Sequence, residues 1–150
     1  MRADLLRRVR LNQARLLVDH LDPPELVLLA CDLLIDGSDA AVALATESPS
    51  RLEEREAARL FEDLVRELGL PDLALATAVS LVATDTCRHL LDGTLPPETA
   101  GHRLLVIGHE GAPPFGLLQP LLALLDNSAD PAFAARLKSL ARDLLTTLEG

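Results

Sequence analysis

Tryptophan and tyrosine are missing from these 150 residues, and phenylalanine occurs only three times. With so few aromatic rings and few β-branched side chains, little is present that favours a pleated sheet. The apolar half of the chain comes mostly from 36 Leu and 21 Ala, both strong helix formers, so composition predicts helices. Positive charge is also scarce: 14 basic residues face 23 acidic ones, for a net charge of −9. That balance repels phosphate backbones and anionic lipid, which argues against nucleic acid or a membrane as a partner.

Cysteine is nearly absent. Cys31 and Cys87 both sit in apolar stretches and read as buried reduced thiols, so no disulfide framework is expected and the chain reads as cytoplasmic. Long apolar runs are lacking too; the best, Leu121 to Leu125, falls far short of the roughly 20 residues that span a bilayer. The N-terminal arginines at 2, 7, 8, 10 and 15 suit a leader. Asp4 and the lack of a continuous apolar stretch make the segment an ordinary first helix instead. No repeat or long linker divides the sequence, which predicts one helical domain.

Start and stop signals set out the helices. The first runs from about Ala3 to Leu21 and ends at Asp22, Pro23 and Pro24. Asp22 then caps a second helix, with Glu25 at capping-box spacing, which continues to Asp36 and stops at Gly37. Ser38 caps a short third helix to Thr46. Ser50 and Glu53 repeat the box ahead of an apolar stripe of Ala57, Leu60, Phe61, Leu64, Val65 and Leu68, with Glu62 and Arg66 set for an ion pair on the other face. Gly69 to Pro71 close that helix. A fifth, from about Asp72 to Asp92, is apolar almost all round near Leu75, Val79 and Val82 and should be central; Gly93 ends it. A sixth runs through Glu98 and His102 to about Ile107, where Leu104 to Ile107 would be a strand without a partner. Gly108 to Gly116 reads as an irregular loop and Leu117 to Leu125 as a helix. Asp130 and Pro131 open the last helix, with a stripe of Phe133, Leu137, Leu140, Ala141, Leu144, Leu145 and Leu148. The expected fold is all-α, a bundle of seven or eight helices.

Groups that could carry chemistry are few. Set against a calcium-binding loop, Asp32 and Asp36 take the first and fifth positions and Gly37 the sixth, but Leu34 and Ala43 stand where two further ligands are needed. Asp32, Asp36 and Asp39 therefore read as a solvated helix end. Acids there oppose the helix dipole, which invites a basic partner from outside. Glu98, His102, His109 and Glu110 form the one cluster of ligand-type groups, with His102 and His109 sharing a face if their helix extends that far. A transition metal wants three or four converging ligands, and this spacing matches no established set, so surface histidines are the preferred reading.

Asp85 and His89 are spaced for an ion pair. Cys87 and His89 point apart on a helix and cannot activate each other. The glycines at 108, 111 and 116 are followed by no Lys-Ser or Lys-Thr, so no phosphate loop is present. Leu29 to Thr46 has the outline of a helix-turn-helix, yet its second helix carries no basic residue and a duplex would repel it. No catalytic residue, cofactor or metal is assigned. The first helix has apolar residues on two sides, Leu5, Val9 and Leu16 against Leu11, Val18 and Leu21, so either the Leu117 to Leu125 segment covers the second side or the chain forms a homodimer through that helix, the reading that its high leucine content favours.

Leu29 to Gly37, Arg55 to Pro71 and Leu90 to Pro97 together give the chain a resemblance to small uncharacterised all-helical proteins of actinobacteria, in keeping with 13 arginines among its 14 basic residues. The resemblance implies a helical fold and no particular activity. By exclusion, and from its excess acid and leucine-rich helices, the chain reads as a non-enzymatic protein–protein interaction module of immunity, regulatory or adaptor type. The alternative is a ligand-binding protein or metal-dependent enzyme using Glu98, His102, His109 and Glu110.

Overall fold

The computed structural model describes residues 1–18, 20–110 and 124–149, with the side chains of 108–110 left out. The chain is all-α, and no strand occurs among the described residues. Its contacts fall into two compact units, Met1–Ala74 and Leu75–Gly150. The boundary follows a stretch at 70–74 that is not helical, although a helix from Asp72 was expected. Pro71 explains the delay. Its carbonyl accepts hydrogen bonds from Arg10 Nη1 at 2.8 Å and Gln13 Nε2 at 3.4 Å, and these tie the segment to the first helix.

The first unit holds α1 (Ala3–Leu17), α2 (Pro23–Ile35), a 3₁₀ turn (Asp39–Ala41), α3 (Val42–Ala45) and α4 (Glu54–Glu67). Helix α1 stops four residues earlier than expected, and α4 starts at Glu54 rather than after Ser50. The Ser48 carbonyl accepts from the amides of Arg51 and Leu52, so residues 48–52 form a turn and the Ser50 capping box is not made. Asp22 does precede α2, with prolines in the first turn, but its side chain makes no capping bond. Glycines with left-handed φ follow α2 and α4: 97° at Gly37 and 69° at Gly69. At each, the next amide reaches back five residues, Ser38 to the Leu33 carbonyl and Leu70 to that of Val65, which closes the helix end.

Helix α2 is the hub of this unit and packs on α1, the 3₁₀ turn, α3 and α4. Leu26, Leu29, Ala30 and Leu33 on α2 share one core with Leu5 and Val9 of α1, Leu44 of α3, and Ala57, Phe61 and Leu64 of α4. Each such leucine or phenylalanine contributes about 1.5–3 kcal/mol by leaving water.

The second unit holds α5 (Leu75–Leu91), α6 (Pro97–Glu110) and α7 (Phe133–Glu149), with residues 124–126 also helical. Helix α5 packs on both α6 and α7, the central place expected for it. Val79, Val82 and Leu90 are buried, and Leu75 is exposed. On α7, Phe133, Leu137, Ala141 and Leu144 are buried as their spacing predicts. Asp130 Oδ1 accepts from the Ala132 amide at 2.8 Å and so caps the start of α7. Gly101 on α6 is buried, and a Cβ added there would lie 3.0 Å from Leu125 Cδ2. Gly108 to Gly116 and Leu117 to Leu125 fall mostly outside the described residues.

Candidate functional site

The outward side of α2 is the most unusual surface among the described residues. Ile35 is 85% exposed and Leu28 59%, the two most exposed large apolar side chains among the described residues. They stand seven residues apart and so share a helical face. Cys31 lies between them, half-buried, with its Sγ 3.8 Å from the Ala45 carbonyl. That contact places the end of α3 beside the middle of α2. Val42, one turn earlier on α3, is 46% exposed. The residues arise from the segment PPELVLLACDLLI, in which Leu26, Leu29, Ala30 and Leu33 build the core while Leu28 and Ile35 share the outer side with Glu25 and Asp32.

Asp32 and Asp36 in the last turn of α2 do meet basic partners, supplied by α1. Arg8 Nη1 donates to Asp32 Oδ2 at 2.7 Å, and Arg2 Nε lies 3.7 Å from Asp36 Oδ1. Two arginines thus answer the conflict with the helix dipole from within the unit. On α4, Arg66 pairs with Asp63 at 3.0 Å rather than with Glu62, and Arg59 pairs with Glu56. The Arg59 guanidinium holds the Glu56 carboxyl below its ordinary range.

Neither apolar side of α1 is left bare. Leu5, Val9 and Val18 are buried, and Leu11, Leu16 and Leu21 are half-buried. The exposed apolar residues of this helix are Leu6 and Leu17. Asn12, on the same row as Leu5 and Val9, is 1% exposed. Its Nδ2 donates to the Arg8 carbonyl at 2.8 Å, while Oδ1 has no hydrogen-bond partner among the described residues.

A groove of about 730 Å³ runs between the second half of α1 and the end of α4, walled by Leu16, Leu17, Val65, Leu70 and Leu73. Gln13 is its most buried polar group, and both ends of that amide are engaged, by Arg10 and by the Pro71 carbonyl. No nucleophile or histidine lines it.

In the second unit, Glu98 and His102 are both exposed on α6. The helix does continue past Ile107 to Glu110, so His102 and His109 stand two turns apart on one helix. The side chains of His109 and Glu110 lie outside the described residues. Among the described residues, no three His, Cys, Asp or Glu come close enough to hold a metal ion. His89 Nδ1 lies 3.3 Å from Asp85 Oδ1, the ion-pair spacing expected. Cys87 is fully buried, and burial pushes its thiol up to about 12, so it is no nucleophile at neutral pH. The Thr94 hydroxyl and amide hold the Asp92 carboxyl below its ordinary range where α5 ends.

No helix among the described residues is long and apolar enough to cross a membrane. No family model, curated protein or solved structure matches the chain.

Proposed function

We propose that this chain is a protein–protein interaction module acting in the cytoplasm, of immunity, regulatory or adaptor type rather than an enzyme, and that it docks its partner on the outer face of α2. The observation that carries this reading is the row of Leu28 and Ile35, left in water on the helix that organises the first unit's core. Scattered apolar residues are ordinary on a surface, but apolar side chains gathered on one face of a well-packed helix mark an interaction surface. Free thiols at Cys31 and Cys87 suit a reducing compartment.

The test compares the wild-type chain with a Leu28→Ser, Ile35→Ser variant as baits in native lysate of the source organism. Both positions face solvent, so the variant should keep the wild-type circular dichroism and melting temperature. A protein retained by the wild type and lost from the variant supports the reading. Identical retention by both overturns it. One equivalent of metal in the purified chain, lost on His102→Ala, would favour the metal-dependent alternative instead.

A further inference from the structure

The outer face of α2 also carries a charge pattern that narrows the chemistry of its partner. Between Leu21 and Ser50 the sequence contains no Lys, Arg or His, yet it contains Asp22, Glu25, Asp32, Asp36, Asp39 and Glu47. Arg8 and Arg2 answer Asp32 and Asp36, and Glu47 lies in the field of Arg59. That leaves Asp22 and Glu25 at the start of α2 and Asp39 just past its end. None of these three has an ion-pair partner among the described residues. Glu25 stands one turn before Leu28 on the same face, Asp22 precedes the helix and Asp39 follows Ile35 in the chain, while the Arg8–Asp32 ion pair lies between Leu28 and Ile35.

We propose that the partner presents a helix with apolar residues on one side and Lys or Arg at its flanks. The proposal rests on the reading of the α2 face as a docking surface. A helix fits because Leu28 and Ile35 are two turns apart, about 10 Å, which is the spacing of i and i+7 anchors on a second helix laid along the first. No strand edge exists among the described residues to recruit an extended segment. Cations at the flanks fit because burying the apolar row brings the partner against Asp22, Glu25 and Asp39, where a carboxylate would be repelled and a neutral group would leave them partly desolvated and unanswered. The chain's net charge of −9 steers basic partners toward it in the same way.

The experiment titrates the full chain into three fluorescent helical peptides of about 18 residues with the same leucine face, carrying Lys, Gln or Glu at the flanking positions. At ~0.15 M salt the Lys peptide should bind about tenfold or more tightly than the Gln peptide, and the Glu peptide more weakly still. Leu28→Ser with Ile35→Ser should weaken the Lys peptide by about tenfold or more. Asp39→Asn should weaken it less and flatten its salt dependence. Val106→Ser, at an exposed position on α6, should change nothing. Equal binding of the Lys and Gln peptides, with dependence on Ile35 retained, overturns the cationic partner while leaving the docking surface standing. If binding of every peptide ignores Leu28 and Ile35, the docking surface falls with it. Sedimentation of the chain alone completes the set: a dimer abolished by Ile35→Ser makes a second copy the occupant and overturns the proposal.

Discussion

Arg8 on α1 reaches across to Asp32 on α2, with Nη1 and Oδ2 separated by 2.7 Å, and this places a cation against the end of a helix whose last turn is acidic. The pair joins residues 24 positions apart, on two helices whose Leu5, Val9 and Leu29 share one core. Both side chains keep more than a third of their surface in water, so the pair is a modest contributor. A double-mutant cycle with Arg8→Ala and Asp32→Ala should give a coupling of about 0.2–1 kcal/mol. Arg8→Ala should cost more than Asp32→Ala, because losing the carboxylate also removes a charge that opposes the helix dipole. Urea unfolding measures both, and the coupling should shrink at ~1 M salt, where screening acts within about 3 Å. A reversed order of the single costs would show that the dipole does not govern this site.

Leu64 and Ile35 are both large apolar helical residues with opposite environments, 2% and 85% exposed. Leu64→Ala should cost about 2–5 kcal/mol through lost burial and the cavity left beside Phe61 and Leu33. Ile35→Ala should stay within about 0.5 kcal/mol. Denaturant midpoints at constant slope report the difference. A large cost at Ile35 would mean that α2 is covered on its outer side as well.

Asn12 interrupts an otherwise apolar row, and its buried Oδ1 lacks a donor. Leaving such a group unsatisfied costs about 1–3 kcal/mol. Asn12→Leu, which replaces the amide oxygen and nitrogen by two methyl groups on the same branched frame, should therefore raise the melting temperature. Asn12→Val, with less bulk, separates the polar effect from crowding. If both variants lose stability, the carbonyl oxygen has a donor in solution.

Cys87 supplies a pH dependence. Its thiol titrates near 9.0 in the unfolded chain and is pushed up to about 12 by burial in the fold. The folded state thus holds its proton longer, and the stability it contributes is complete below pH 9 and lost as pH rises toward 12. Unfolding free energy should fall with a limiting slope of about 1.4 kcal/mol per pH unit in that window. Cys87→Ala should remove this component of the slope. A thiol reagent at pH 8 should label Cys31 first and reach Cys87 only on unfolding. Rapid native labelling of Cys87 would contradict its burial.

The sequence by itself determined the features that depend on neighbours along the chain. Leucine and alanine content set the helical class, and stripes at helical spacing set the buried faces of α4 and α7 at Phe61, Leu64, Leu137 and Leu144. Gly37, Gly69 and Gly93 mark helix ends because only local sterics decide which residue accepts a left-handed backbone. Tertiary structure decided the rest. Leu28 and Leu29 are the same residue one position apart, and although Glu25 and Asp32 share the side of Leu28, nothing in the local pattern required Leu28 and Ile35 to stay in water there. The partners α1, α3 and α4 crowd one side of α2 and leave the other open. Asp32 and Asp36 looked like acids in want of an external partner, and the arginines that answer them come from a helix distant in sequence. Gly101 sits among helix formers with no local need for glycine; the approach of Leu125 and Leu137 leaves little room for a side chain there. The 70–74 break between the two units likewise depends on Arg10 and Gln13 holding the Pro71 carbonyl from about sixty residues away. Each of these is a contact between segments distant along the chain, and no window of sequence contains both of its ends.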